Sequence, residues 1–244
     1  MTALNSAMVL AAGLGTRLRP LTDRLPKPLV PVAGLTLLDH ALDRLAAAGV
    51  TTAVVNLHHL GDMIAEHLKG RSAPKIILSR EERRLETGGG VRHALPLLGA
   101  GAFFVVNADV LWLNGPYDAL RRLQNDWRES EMDALLLLLE TTAAFGYDGA
   151  GDFLADPAGR LARRPEREIA PYLFTGVQIL HPRLFEDAPA GAFSLNVLYD
   201  RALAVGRLYG VVHDGEWFHV GTAEGLAEAE DFLRVRYPGT KRRR

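Results

Sequence analysis

Two glycines, Gly13 and Gly15, stand directly behind a short apolar run, followed by Arg17 and then by Lys27 between Pro26 and Pro28. Glycine adopts backbone angles that other residues resist, and it lets a phosphate approach main-chain N–H groups. Arginine and lysine add positive charge where a polyphosphate must be held. The flanking prolines restrict the backbone and help fix where Lys27 points. Asp109 closes the run FFVVNAD, at the carboxyl end of a predicted parallel strand, where open α/β sheets bind ligands. It is a candidate ligand for Mg²⁺, since a magnesium–phosphate complex needs at least one hard oxygen donor. Asn107, two residues earlier, either reaches ligand or ties down the loop.

Residues 85–90 read LETGGG. Three successive glycines cost too much backbone entropy for an ordinary helix or strand. They suit a place where a flat base lies against bare backbone. Asn56 ends a second predicted strand and meets either base or ribose, or simply caps the strand end. The Walker A pattern G-x-x-x-x-G-K-[ST] is absent. So is the dinucleotide pattern G-x-G-x-x-G, because Leu18 stands where its last glycine would fall.

Residues 10–34, LAAGLGTRLRPLTDRLPKPLVPVAG, resemble the signature of the nucleoside-diphosphate-sugar pyrophosphorylases. These enzymes join a nucleoside triphosphate to a sugar 1-phosphate and release pyrophosphate. The resemblance implies that Arg17 steadies the leaving pyrophosphate and that Lys27 meets the α-phosphate or the sugar phosphate. It implies a nucleotide site made of Leu10, Ala11, Ala12, Gly13, Gly15, Thr16, Arg17, Asn56, Glu86, Thr87, Gly88 and Asn107, with one glycine N–H reading the base. It also implies a sugar site at Glu86, Asp152, Thr175 and Gly176, and Asp109 on the cation.

Family members end with W-x-D-V-G-T, whose aspartate also binds the cation. Here His219 occupies that place in WFHVGT. Three readings compete. His219 ligates, favouring Mn²⁺ over Mg²⁺; or it contacts phosphate; or the cation relies on Asp109, phosphates and water. The second lysine that longer relatives use for the sugar phosphate is missing, with Arg163, Arg164 or Arg167 as substitutes. Within the family, LETGGG, GDF at 151–153 and GAFSL at 191–195 resemble the short N-acetylmuramate 1-phosphate uridylyltransferase group. That implies UTP, N-acetylmuramate 1-phosphate and cell-wall sugar recycling. The mannose 1-phosphate guanylyltransferases are the close alternative. A non-catalytic nucleotide-sugar-binding regulator is the alternative of another class.

These residues need strands to carry them. Apolar runs predict strands over 7–12, 53–57, 75–78, 102–106 and 134–139, with helical spacing over 37–48, 62–68, 89–98 and 117–127. The alternation argues an α/β, Rossmann-like, doubly wound mixed sheet with helices on both faces. The resemblance makes it the GT-A-like fold of nucleotide-diphospho-sugar transferases. Residues 145–170 are rich in glycine, charge and proline and predict an antiparallel excursion, with strands over 152–154 and 160–162. Strands over 172–180, 208–212 and 217–220, and helices over 182–185, 194–205 and 222–235, complete the expectation. Residues 1–236 then form one domain, followed by a basic tail over 237–244.

The chain has 244 residues, 48% hydrophobic, with a net charge of −1. A general nucleic-acid-binding surface would show a basic excess. There is no cysteine, so disulfides, thiolate nucleophiles and cysteine-based metal sites are excluded. No run approaches the roughly 20 apolar residues of a membrane span, and the first residues lack a secretory leader. The expectation is a cytoplasmic enzyme, monomeric or weakly self-associating, with no nucleic-acid or membrane partner and no repeat domain after the last helix.

Overall fold

The computed structural model describes residues 4–236. The tail over 237–244 lies outside them. In chain order the elements are β1 (Ser6–Leu10), β2 (Pro31–Val32), β3 (Leu35–Thr36), α1 (Leu37–Ala47), β4 (Thr52–Leu57), α2 (Gly61–His67) and β5 (Lys75–Arg80). Then come α3 (Glu86–Leu98), β6 (Phe103–Asn107), β7 (Leu111–Leu113), α4 (Ala119–Asp126), β8 (Ala134–Glu140), β9 (Phe153–Ala155) and β10 (Leu161–Arg163). The last are β11 (Tyr172–Leu180), α5 (Asn196–Ala204), β12 (Leu208–Val212), β13 (Glu216–Phe218) and α6 (Ala223–Arg236).

A nine-stranded mixed sheet runs β10-β9-β11-β6-β1-β4-β5, with β8 pairing β11 and β12 beyond it. β1 pairs in parallel with β4 and β6, and β4 with β5. β11 runs antiparallel to β6 and β8. The sheet is buried on both faces, which is why its central strands are continuous apolar runs. Alternate residues feed opposite layers. Val9, Val55, Val106 and Leu137 pack toward α1, α2 and α4. Met8, Val54, Val105 and Leu136 pack toward α3 and α5. In β8 five consecutive leucines, 135–139, are buried, each contributing about 1.5–3 kcal/mol relative to exposure.

The predicted strands and helices are present, shifted at their ends by a residue or a few. Thr36 caps α1 by accepting from Asp39 N, and Thr222 Oγ1 accepts from Gly225 N at the start of α6. β9 and β10 pair antiparallel, and β9 joins the main sheet where Phe153 faces Tyr172. Two short antiparallel pairs join β2 with β3 and β7 with β13; β13 answers the strand expected over 217–220, while β2, β3 and β7 carry no sequence expectation of their own.

The glycine run is the clear departure. α3 begins at Glu86, three residues before the expected start at 89, so Gly88, Gly89 and Gly90 all lie in its first turns. The reason is packing. A Cβ on Gly88 would run into the Phe193 ring, and one on Gly89 into the Gly191 carbonyl. One on Gly90 would lie 2.8 Å from Glu81 Oε1. The entropic cost of helical glycine is offset by this close approach. Among the described residues no helix is long and apolar enough to cross a membrane.

Candidate active site

Two adjoining cavities open at the carboxyl ends of β1, β4 and β6. The first, about 370 Å³, is held by a chain of hydrogen bonds. Ala11 N donates to Asn56 Oδ1 at 2.7 Å. Asn56 Nδ2 donates to Glu81 Oε1 at 2.7 Å, and Leu85 N donates to Glu81 Oε2 at 3.0 Å. Asn56 and Glu81 are both buried. Four segments of chain are thereby tied together around one hole: the turn after β1, the end of β4, the turn after β5 and the approach to α3. Glu86 has φ of 60°, a left-handed conformation that costs a non-glycine residue energy and marks sites under functional constraint.

The second cavity, about 200 Å³, shares Lys27, Asn107 and Asp109 with the first. Gly15 has φ of 64°, and a Cβ on it would lie 3.0 Å from Thr22 Cγ2 and 3.1 Å from Lys27 Cβ. Thr22 Oγ1 donates to Gly15 O at 2.8 Å. The turn therefore packs directly on the segment carrying Lys27. That lysine is nearly buried, and its Nζ meets Asp109 Oδ2 at 2.7 Å, whereas the Asp109 side chain is 37% exposed. A buried ammonium needs such a partner, and the half-exposed carboxylate leaves the pair open to a ligand.

Across the same cavity Arg17 Nη1 lies 3.2 Å from His219 Nε2. Burial holds the His219 pKa below its ordinary value. The Arg17 and Lys27 charges push it the same way, and Asp109 and Asp148 oppose them. The imidazole is therefore neutral at neutral pH.

Most of the expected residues meet here. Leu10, Ala11, Ala12, Gly13, Gly15, Asn56, Glu86 and Thr87 line the first cavity. Arg17, Thr175, Gly176 and His219 line the second. Three do not line either. Thr16 starts the short helical turn Thr16–Leu18. Gly88 donates its N–H to Phe193 O at 2.8 Å, and Gly89 shares that acceptor at 3.1 Å, so neither amide stands bare for a base. Asp152 Oδ2 accepts from Phe174 N at 2.8 Å, which ties the start of β9 to β11.

Thr175 borders the cavity, but its hydroxyl donates to Leu137 O at 2.8 Å. Arg163 is engaged by Asp200, and Arg164 donates to the carbonyls of Gly151 and Glu168. Neither they nor Arg167 line the cavities.

Sequence reasoning missed Glu81, Arg84 and Ser194 in the first cavity and Tyr147 and Trp217 in the second. Glu81 stands in REERR, where nothing separates it from its charged neighbours. Only the fold shows that it alone of the five is buried.

Asp109 and His219 border one cavity. Among the described residues no group of three or more His, Asp or Glu side chains gathers to hold a metal. One half-exposed carboxylate facing a phosphate-sized space suits a hard cation whose remaining ligands are phosphate and water.

Residues 6–235 match the family model described as "Nucleotidyl transferase". The chain belongs to the nucleotidyl transferase family. Among curated members it is 46% identical, over 92% of this chain and 95% of the relative, to the N-acetylmuramate alpha-1-phosphate uridylyltransferase of Caulobacter vibrioides. It is 38% identical to the enzyme of that name from Neisseria meningitidis, over 92% of this chain and 96% of the relative. A mannose-1-phosphate guanyltransferase beta-A of Xenopus laevis is 28% identical, over 93% of this chain and 62% of its own length. Among solved structures, a UDP-glucose pyrophosphorylase complexed with UDP-glucose superposes with a TM-score of 0.77 at 17% identity, covering 96% of this chain and 99% of that one. The mixed, Rossmann-like sheet is the GT-A-like fold that these nucleotidyl transferases share.

Proposed function

We propose that this protein joins UTP to N-acetylmuramate α-1-phosphate, giving the uridine diphosphate sugar and pyrophosphate. The observation that carries the reading is the continuity of the two cavities at Lys27 and Asp109. A nucleoside in the first cavity would place its phosphates at that joint. The uridylyltransferase relatives support the base and the sugar. Residues 1–236 would act as one catalytic domain.

In this reading an oxygen of the sugar phosphate attacks the α-phosphorus of the nucleotide. The bond from that phosphorus to the bridging oxygen breaks, and pyrophosphate leaves on the opposite side. The nucleophile is already ionised, so no protein base is needed, and catalysis rests on alignment and charge neutralisation. Lys27, released in part from Asp109, meets the α-phosphate. Arg17 takes the negative charge growing on the leaving group. Asp109 would hold a divalent cation, which when bound neutralises the phosphates and fixes their geometry. Glu86 and Gly176 face the space left for ribose and sugar.

Crossing UTP, dTTP, GTP and CTP with N-acetylmuramate, glucosamine, mannose and glucose 1-phosphates, with pyrophosphate release as readout, tests the assignment. UTP with N-acetylmuramate 1-phosphate should give the highest kcat/KM. A GTP and mannose 1-phosphate maximum would instead make this a guanylyltransferase. Nucleotide binding without release in any pairing would make it a regulatory protein.

A further inference from the structure

We propose that His219 is a positioning residue for Arg17, holding the guanidinium where pyrophosphate leaves, rather than a ligand to the divalent cation. Donor and acceptor chemistry fixes the roles of the two side chains. Arginine has five N–H donors and no acceptor. A hydrogen bond from Arg17 Nη1 at 3.2 Å therefore requires the lone pair of His219 Nε2. In neutral imidazole the other ring nitrogen then carries the proton. Neither nitrogen is left to ligate a cation.

The ring is also fixed in place. His219 N donates to Phe145 O at 2.9 Å. The Trp217 and Tyr147 rings flank the imidazole at centroid distances of 5.9 and 6.1 Å. Gly221 leaves room for it, because a Cβ there would run into the imidazole.

Arg17 needs such a partner. It is exposed on a three-residue helical turn, and its bond to His219 is the only hydrogen bond it makes among the described residues. A long cation without a fixed partner spreads over many rotamers, and ordering it on substrate costs affinity. One bond to an immobilised ring selects the rotamer in advance. A separation of 202 positions puts this contact at the point where the first and last parts of the chain meet.

The proposal rests on reading the site as one that releases pyrophosphate. Inorganic pyrophosphate is therefore the probe, because it is independent of base and sugar. Its affinity in the presence of Mg²⁺ is measured by calorimetry for wild type, Arg17→Ala, His219→Ala and the double variant. Mn²⁺ affinity is followed by electron paramagnetic resonance on the same proteins.

Arg17→Ala should weaken pyrophosphate about tenfold or more, as for a lost charged hydrogen bond. His219→Ala should weaken it about fivefold, and the double variant should equal Arg17→Ala alone, as expected when one residue acts through the other. Mn²⁺ affinity should stay within about twofold, since no ligand is lost. His219→Gln, which keeps an acceptor, should recover most of the loss and guards against a folding defect. A His219→Ala loss that adds in full to Arg17→Ala, or a Mn²⁺ affinity that falls with His219, overturns this proposal alone. An Arg17→Ala protein that binds pyrophosphate normally overturns both it and the reading of the site.

Discussion

The two ends of the site are built from different materials. The end proposed to hold the base is made of backbone, a buried amide and a buried carboxylate, tied by Ala11, Asn56, Glu81 and Leu85 into one network. The end proposed to hold the phosphates is made of polar side chains paired two by two: Lys27 with Asp109, and the Arg17 guanidinium with the neutral His219 ring. A satisfied buried network is rigid and specifies shape. Half-exposed pairs hold their charges ready for exchange with a ligand. Recognition of a flat base needs the first kind of construction, and transfer of a phosphate needs the second.

Substitutions at the phosphate end should separate this division most sharply. Lys27→Ala and Asp109→Ala should each lower kcat about 100-fold or more, the scale of a lost transition-state charge contact. The thermal midpoint should change little for Lys27→Ala, whose partner carboxylate is half-exposed, and should fall for Asp109→Ala, which leaves the buried ammonium unpaired. Stopped-assay kinetics and calorimetric melting on the same samples test both halves, and near-normal turnover in either variant would break the comparison.

At the base end the signs should reverse. Glu81→Ala strips the acceptor from Asn56 Nδ2 and from Leu85 N. Leaving buried donors unpaired costs about 1–3 kcal/mol of stability each. The KM for the nucleotide should rise several-fold while kcat changes less than about twofold, since this contact is made in ground state and transition state alike. Urea unfolding and steady-state kinetics read the two effects. A fall in kcat with unchanged KM would place Glu81 in the chemistry instead.

The smallest expected effect lies away from both ends. Burial lowers the pKa of His213 and of His40. In the unfolded chain these imidazoles titrate near 6.5. Above that value they are neutral in both states and stability is full. As pH falls through 6.5 toward the lowered folded pKa, the unfolded state binds protons first and stability drops. Urea midpoints should therefore be lower at pH 5.5 than at pH 7.5. His213→Gln, which keeps a donor for Leu113 O, should narrow that gap. An unchanged gap would take His213 out of the account.

The two ends were also unequally legible in the sequence. Lys27 between prolines, Gly15 before Arg17 and Asp109 at a strand end are local patterns whose chemistry follows from residue type. The sheet was legible for a similar reason, because doubly covered strands must be apolar on both faces. The partners across the cavity were not legible. Nothing near Arg17 announces a bond to a residue 202 positions later, and Glu81 resembles the charged residues around it until the fold buries it. The glycine run misled for an instructive reason. Its lack of side chains was correctly tied to close approach, but the neighbour is the segment over 191–193 and the Asn56–Glu81 pair, not open space for a base. Asp152 lines neither cavity, and its carboxylate accepts from Phe174 N.

The Lys27–Asp109 joint is proposed to pass a nucleotidyl group between two phosphates. Phosphorus-31 NMR of wild-type protein with Mg²⁺, UTP and N-acetylmuramate 1-phosphate tests it directly. The account predicts one pyrophosphate and one new diphosphate ester formed for each sugar phosphate consumed, none when the sugar phosphate is left out, and almost none with Lys27→Ala. UTP that binds yet stays intact with every sugar 1-phosphate supplied would contradict it.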